Sequence, residues 1–395
     1  MVGVLIIIDG CNEDYISAGT TPFLYSLKNR SPYSSMKVSA GFATRFELFT
    51  GRTARATDTF VDFIRGDSIM PFRALKVFKP SFDIKIRQSP YRKIFNSSTP
   101  FLTLTNLALT GIWTDFVNIP KFLIPYFRLN NSLVKLKRDE KNREPNNLLG
   151  ILAADGFEVD FIYGNADKID KSVSKIVNLD KRVIIIHYGE TDRTGHTYGP
   201  GSAEVNGVLS RVDDSIRRIF ESFEGELDFM AVFSDHDMTD ILDNLDLWSL
   251  LKKLDCSLIK DYFVFLNSPL ARFWFKNRVA EVEVIRLLKS LEDYGRIVER
   301  DELRDHMLPD DDKYGETIFW ANKGVNISPD FYSISKRKGM HGYLDQKSAA
   351  PFIFYNSRKV KFSDQRCNMR DLTPTILDYL KIDYEDVEGK SILAG

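Results

Sequence analysis

The sequence predicts an α/β protein built on a central, mostly parallel sheet sandwiched by helices. Three apolar runs carry that expectation: Val4-Leu5-Ile6-Ile7-Ile8, Val183-Ile184-Ile185-Ile186 and Phe229-Met230-Ala231-Val232-Phe233. They stop abruptly at Asp9, at His187 and at Ser234-Asp235-His236. Runs without polar alternation are what strands buried on both sheet faces require. Between them lies helical spacing, clearest from Ser202 to Phe223, where Val205, Val208, Leu209, Val212, Ile216 and Ile219 share a face. Ligands of such sheets gather beyond the carboxyl ends of the strands, so the polar residues that end the runs are candidates for a site.

Residues 1–70 begin the core. The segment from Met1 to Gly10 has no basic start and no small-residue cleavage site, so its apolar run reads as a first strand rather than a signal peptide; a helix is expected from Thr21 to Lys28. Residues 71–149 read as an inserted basic, aromatic cap. Within them, 71–145 hold fourteen Lys/Arg against five Asp/Glu, a local charge of +9 that leaves −10 on the remainder of a chain of net charge −1. Its eight Phe and repeated prolines, as in Ile119-Pro120-Lys121-Phe122-Leu123-Ile124-Pro125, suit peripheral contact with a lipid or membrane surface; a plain lid with solvated lysines fits the same composition. Nucleic acid is not expected, because no recognised binding motif accompanies the charge. Asp115 and Lys121 interrupt the longest apolar candidate, Pro100 to Phe127, so no membrane span is expected.

Residues 150–245 resume the core with the second and third runs. Residues 246–338 form a small α+β insertion: a strand Tyr262–Leu266, an aromatic strand Ala271–Phe275 and a helix from Val279 to Leu291. Asp310-Asp311-Asp312 lacks the ligand spacing of a calcium loop and reads as a solvated turn. Residues 339–395 return to the core and close with a helix from Asp371 to Leu380. Cys11, Cys256 and Cys367 are too few and too scattered for a disulfide framework or a thiolate zinc site, which favours a cytoplasmic setting, with peripheral membrane contact as an extension of it.

Four separated segments offer oxygen and nitrogen ligands: Asp9; Asp192 with His196; Asp235 with His236; and His341 in Lys338-Gly339-Met340-His341-Gly342-Tyr343. Any one of them alone reads as a helix cap, a turn residue or a satisfied histidine. Their joint occurrence, three at strand ends and one flanked by glycine, points to metal. Carboxylate plus neutral imidazole suits zinc first and manganese second, and two such ions can clamp the attacking and leaving oxygens at phosphorus.

These motifs resemble the alkaline phosphatase superfamily, specifically its type I phosphodiesterase/nucleotide pyrophosphatase branch. "ETDRTGHTYGP" is similar to the branch's D-x-x-G-H-x-x-G-P segment, "VLIIIDG" to its first strand and metal-binding Asp, and "VFSDHDMTD" to its S-D-H-G-M motif, with Asp237 in place of Gly. "KGMHGY" is similar to its last histidine motif, and "DLTPTILDYL", "SPLARFWFKN" and "YGETIFW" to its closing helix and small insertion. The resemblance implies an alkaline-phosphatase-like fold and two divalent ions, one held by Asp192, His196 and His341 and the other by Asp9, Asp235 and His236. It implies hydrolysis of phosphodiester or pyrophosphate bonds in a small or lipid-linked substrate. A phosphotransferase, a phosphomonoesterase or a sulfatase-like enzyme would use the same site. Gly199, Pro200 and Ser202 read as scaffold, Gly195 as the place where the backbone bends, Glu190 as support for the ligands and His187 as a packing or hydrogen-bonding residue at the strand end.

One part of the resemblance departs from the family. Members carry a Thr or Ser nucleophile ten residues before the Gly of a Thr-Gly turn; in "GFATRFELFTG" that position is Gly41. Thr44 is the nearest hydroxyl in the segment and Ser39 lies just upstream, while Arg45 falls where sulfatases keep an arginine. Three accounts stay open: Thr44 attacks through a phosphothreonyl intermediate, water attacks directly, or the site is a catalytically altered scaffold.

Overall fold

The structure is a computed structural model, described over residues 1–66, 119–120, 122–333, 336–344 and 349–394. It divides into two compact units, Met1–Thr57 with Arg138–Ile241 and Arg337–Gly395, and Asp58–Lys137 with Leu242–Lys336. The expected cap is thereby divided. Its residues 138–149 fold with the first unit and 119–120 and 122–137 with the second, while 71–118 and Lys121 lie outside the described residues.

The first unit is organised by a seven-stranded sheet, ordered Arg366–Asn368, Tyr33–Lys37, Ala349–Asn356, Leu227–Phe233, Val2–Ile8, Arg182–Tyr188, Glu158–Gly164. Pairing is parallel except where Ala349–Asn356 lies between two antiparallel neighbours. The three apolar runs are adjacent at its centre, and Val2–Ile8 is buried along its whole length. One face carries Leu5, Ile7, Val183, Ile185, Phe229 and Phe233, packed with Leu48, Leu148, Leu152, Ile376 and Leu377 from three helices. The other carries Val4, Ile6, Ile184, Ile186 and Val232, packed with Leu24, Ile169, Val205, Val212 and Ile216 from three more. Helices on both faces explain the lack of polar alternation.

The expected helices form within two residues of their sequence bounds, as Pro22–Arg30, Ala203–Ser222 and Leu372–Leu380. Ser202 caps the longest of them, its hydroxyl accepting from the Val205 N–H at 3.2 Å, a contact of about 1 kcal/mol.

The second unit is built on a four-stranded antiparallel sheet, ordered Tyr262–Leu266, Leu270–Phe275, Thr317–Ala321, Gly295–Val298. The helix Arg278–Lys289 buries Ala280, Val284 and Leu288 in its core. Asp310–Asp312 is a turn: the Asp310 carboxylate pairs with Arg304 at 2.6 Å and that of Asp312 with Arg300. His306 ends the helix Arg300–Asp305. No helix among the described residues is long and apolar enough to cross a membrane.

Candidate metal centre

The three central strands end at one edge of the sheet because they are parallel and in register, Ile7 pairing with both His187 and Phe233. Asp9 therefore emerges beside His187 and beside Ser234-Asp235-His236. The Ser234 hydroxyl joins two of these ends: it accepts from the Cys11 N–H at 2.8 Å and lies 2.7 Å from the Ile8 carbonyl. Ala349–Asn356 runs the opposite way and so starts at this edge, which brings in the preceding Gly339–Met340 and His341.

Asp192 and His196 stand on a helix, Glu190–Tyr198, rather than on a turn leading off the strand. Four residues apart, they share its inner face, with His196 Nε2 3.2 Å from Asp192 Oδ1. Gly195 is consequently no bend, and the glycine that close packing requires here is Gly339. A Cβ on Gly339 would lie 2.5 Å from the Gly195 carbonyl oxygen, so only glycine lets these segments meet and brings the Gly339 carbonyl to 2.8 Å from His196 Nδ1. Glu190 does not support the ligands: it accepts from the Ala166 N–H at 3.0 Å and faces Arg211 at 3.7 Å.

The histidine tautomers follow from these contacts. A carbonyl only accepts, so His196 Nδ1 carries a proton for Gly339 O, and His236 Nδ1 carries one for Asp237 O at 2.9 Å. In the neutral rings both Nε2 atoms are then lone pairs. That of His196 faces Asp192 Oδ1 at 3.2 Å, and that of His236 faces Asp9 Oδ1 at 2.9 Å, Asp192 Oδ1 at 3.7 Å and Asp235 Oδ1 at 3.9 Å. Acceptor facing acceptor needs a positive charge between, either an added proton or a metal ion.

The acidities express the same conflict. Burial acts to raise Asp9, but the hydrogen bonds and charges of His187 and His236 outweigh it and hold Asp9 well below the usual carboxylate range. Burial and the charge of Asp9 push Asp235 up to about 6. For His236 burial is outweighed by Asp235, Asp9 and Asp192, which raise it well above the ordinary imidazole range. Burial, followed by the charges of His236 and His196, keeps His341 well below that range; the neutral His341 ring stacks on His236 at 3.7 Å between centroids.

Ligand atoms within 4.8 Å of one another form three clusters: Asp192, His196 and His341; Asp9, His187 and Asp235; and Asp9, Asp192 and His236. Among the described residues Asp192 Oδ1, Asp235 Oδ1, His187 Nδ1 and His341 Nδ1 are buried without a hydrogen-bond partner. Each such atom costs about 1–3 kcal/mol, and divalent cations would satisfy the carboxylate oxygens and Nε2 lone pairs together. All six expected ligands are thus brought together. His187 hydrogen-bonds at the strand end as expected, its Nε2 lying 3.0 Å from Asp9 Oδ2, and this contact also places it in one of the three clusters.

Beside the cluster, Gly41 adopts a φ of +94°, a conformation in which a β-branched threonine would be strained, and its N–H points to the Gly342 carbonyl at 3.4 Å. The Phe42 ring meets His341 edge-on at 5.6 Å. Thr44 opens the helix Thr44–Thr50 and is buried. Arg45 pairs with Glu140 at 3.2 Å. Ser39 hydrogen-bonds Glu47, whose carboxyl burial pushes up to about 7 against the opposing pull of Ser39 and Arg370.

Carboxylate and imidazole ligands gathered beyond the carboxyl edge of a mostly parallel, helix-sandwiched sheet define an alkaline-phosphatase-like protein. The chain belongs to the type I phosphodiesterase / nucleotide pyrophosphatase family, whose model matches residues 110–344, more than half of its 395 residues. Murine ectonucleotide pyrophosphatase / phosphodiesterase 5 is similar in structure, with a TM-score of 0.66 over 99% of both chains at 15% identity. The inactive threonine-to-alanine form of that enzyme in complex with AMP gives a TM-score of 0.65 over 99% of both chains at 16% identity. No curated protein matches the chain by sequence.

Proposed function

We propose that this chain hydrolyses phosphodiester or pyrophosphate bonds with two divalent ions, zinc in preference to manganese. Asp192, His196 and His341 would hold one ion, and Asp9, Asp235 and His236 would belong to the other. The observation that carries this reading is the pairing of Nε2 lone pairs with carboxylate oxygens at His196 and His236, fixed by the carbonyls of Gly339 and Asp237. Two ions in such a site neutralise charge on the attacking and leaving oxygens. The chain's own part is orientation: Asp9 stays anionic, His341 stays neutral, and the carbonyl contacts fix which nitrogen of His196 and His236 faces inward.

The AMP complex of the murine relative favours a nucleotide-related phosphate ester as substrate. The basic segment 71–145 supports a lipid-linked alternative and contact with anionic membrane from the cytoplasm; salt-sensitive binding to phosphatidylserine vesicles tests that contact. Thr44 is the proposed nucleophile. Its oxygen would displace the leaving group at phosphorus, and water would then release the phosphothreonyl ester. Thr44→Ala is expected to slow turnover by about 100-fold, or about 2.7 kcal/mol. Undiminished turnover assigns attack to water, the account favoured by the glycine at position 41, whose positive φ would strain a threonine.

Metal analysis combined with assays on diester, pyrophosphate, monoester and sulfate substrates tests the whole reading. A folded protein that takes up no divalent ion at neutral pH would falsify it. Preferred release of phosphate from monoesters would replace it with the monoesterase reading.

A further inference from the structure

The three ligand clusters share their members unequally. Asp192–His196–His341 and Asp9–His187–Asp235 have none in common, while Asp9–Asp192–His236 takes one carboxylate from each. His236 accordingly stands at the seam, its Nε2 within 3.9 Å of Asp9, Asp192 and Asp235 and its ring stacked on His341. His187 stands on the outer side, against the second oxygen of Asp9. Its Nε2 is 3.0 Å from Oδ2, whereas His236 faces Oδ1.

We propose that His187 is itself a ligand of the ion held by Asp9 and Asp235, so that this position has four protein donors, Asp9, His187, Asp235 and His236. The inference rests on the two-metal reading and adds a residue to it. Its rival is that His187 merely donates a hydrogen bond that orients Asp9.

Counting donors separates the two. One proton on His187 Nε2 serves Asp9 Oδ2 and leaves Asp235 Oδ1, buried in a residue only 6% exposed, with no partner among the described residues. A cation among the three serves both carboxylates and the imidazole at once, and their ligand atoms already lie within 4.8 Å of each other. The ring is also held for the purpose. His187 ends a fully buried strand and is walled edge-on by Tyr163 at 5.1 Å and Phe161 at 6.4 Å. Gly41 offers no side-chain hydroxyl that would compete for a place beside the ion. Four protein donors complete a tetrahedral zinc, whereas three leave a position for substrate or water. The ion at Asp9 would then meet a reacting oxygen only by expanding to five donors, as zinc sites can in a transition state.

The test is zinc titration against a chromogenic chelator, with cobalt(II) absorption spectra, on the wild-type chain and on His187→Ala and His187→Gln. Glutamine keeps an N–H for Asp9 but ligates zinc poorly, so it separates the two roles. Both variants are expected to bind one ion as wild type does and the other at least about 100-fold more weakly, at or beyond the roughly 10- to 100-fold cost of losing an orienting residue. The cobalt bands of the weakened ion should shift. Unchanged affinities and spectra in His187→Ala, or restoration of both by glutamine, overturn the assignment. Wild type binding fewer than two ions overturns the two-metal reading instead, and that result needs no substitution to be seen.

Discussion

Asp235 in the first unit and Arg272 in the second are both buried ionisable residues, and their surroundings differ in kind. Arg272 is wholly buried, yet its Nε donates to Asn267 Oδ1 at 3.2 Å and its Nη1 to the Phe63 carbonyl at 2.8 Å. The Phe265 and Trp274 rings lie 4.8 and 5.6 Å from it. Burial lowers its pKa only to about 10, so it stays charged. Asp235, clustered with Asp9 and His187, has an oxygen with no hydrogen-bond partner among the described residues. Arg272 Nη2 is also buried without a hydrogen-bond partner among them, so a lone orphan atom does not separate the two; what does is convergence, because the orphan atoms of Asp235, Asp192, His187 and His341 belong to residues of adjoining ligand clusters, whereas Arg272 belongs to none.

That contrast breaks if the converging residues prove dispensable. Asp192 belongs to two ligand clusters, so Asp192→Asn is expected to lower phosphodiester hydrolysis by at least about 1000-fold, or about 4 kcal/mol of barrier, with little change in unfolding. Near-normal turnover in that variant would remove the cluster from the mechanism. Arg272→Met should do the reverse. By stripping donors from Asn267 and the Phe63 carbonyl it should cost roughly 3 kcal/mol in urea unfolding while leaving zinc stoichiometry intact.

Acidity sharpens the same contrast. Asp235 at about 6 and a raised His236 mean that protons occupy the metal-free site and must leave as an ion binds. Zinc affinity should therefore climb with pH and fall by about tenfold per unit for each proton displaced as pH drops through 6, measured by competition titration. Glu47 shows the smallest effect. Its folded pKa of about 7 lies above the ordinary 4.5, so the folded state keeps a proton that the unfolded chain has lost; stability present at low pH is lost as pH rises from 4.5 through 7. Glu47→Gln should flatten that slope by about 1 kcal/mol per pH unit in unfolding followed across the same range. An unchanged slope would assign it to other groups.

The central strands and the clustering of the six candidate ligands were legible because burial on both faces writes an unbroken apolar run, and the run's end then stands out. The flanking strands were not. Tyr33–Lys37 alternates buried and partly exposed residues, and its two serines hide it; Ala349–Asn356 contains Pro351, which reads as a strand breaker, and its direction depends on long-range pairing. His187 was legible as a packing and hydrogen-bonding residue, but its place in a ligand cluster was not, because it continues the apolar run. The available signal was positional, a histidine beside the end of a strand whose neighbours both finish in ligands. Helix Glu190–Tyr198 was hidden because Gly195 suggested a bend, whereas the glycine with a packing role is Gly339, which lies against the Gly195 carbonyl.

The order of strands also bears on how the protein is made. Val2–Ile8 is an interior strand but precedes both of its neighbours in the chain, Arg182–Tyr188 and Leu227–Phe233. At usual rates of translation a ribosome needs roughly ten seconds or more to reach even the nearer one. For that interval a seven-residue, wholly apolar segment has no sheet to join, and both its edges are open to other chains. Nascent chains of this protein should therefore depend on a chaperone that shields the first strand, and their yield should fall when translation outpaces that protection.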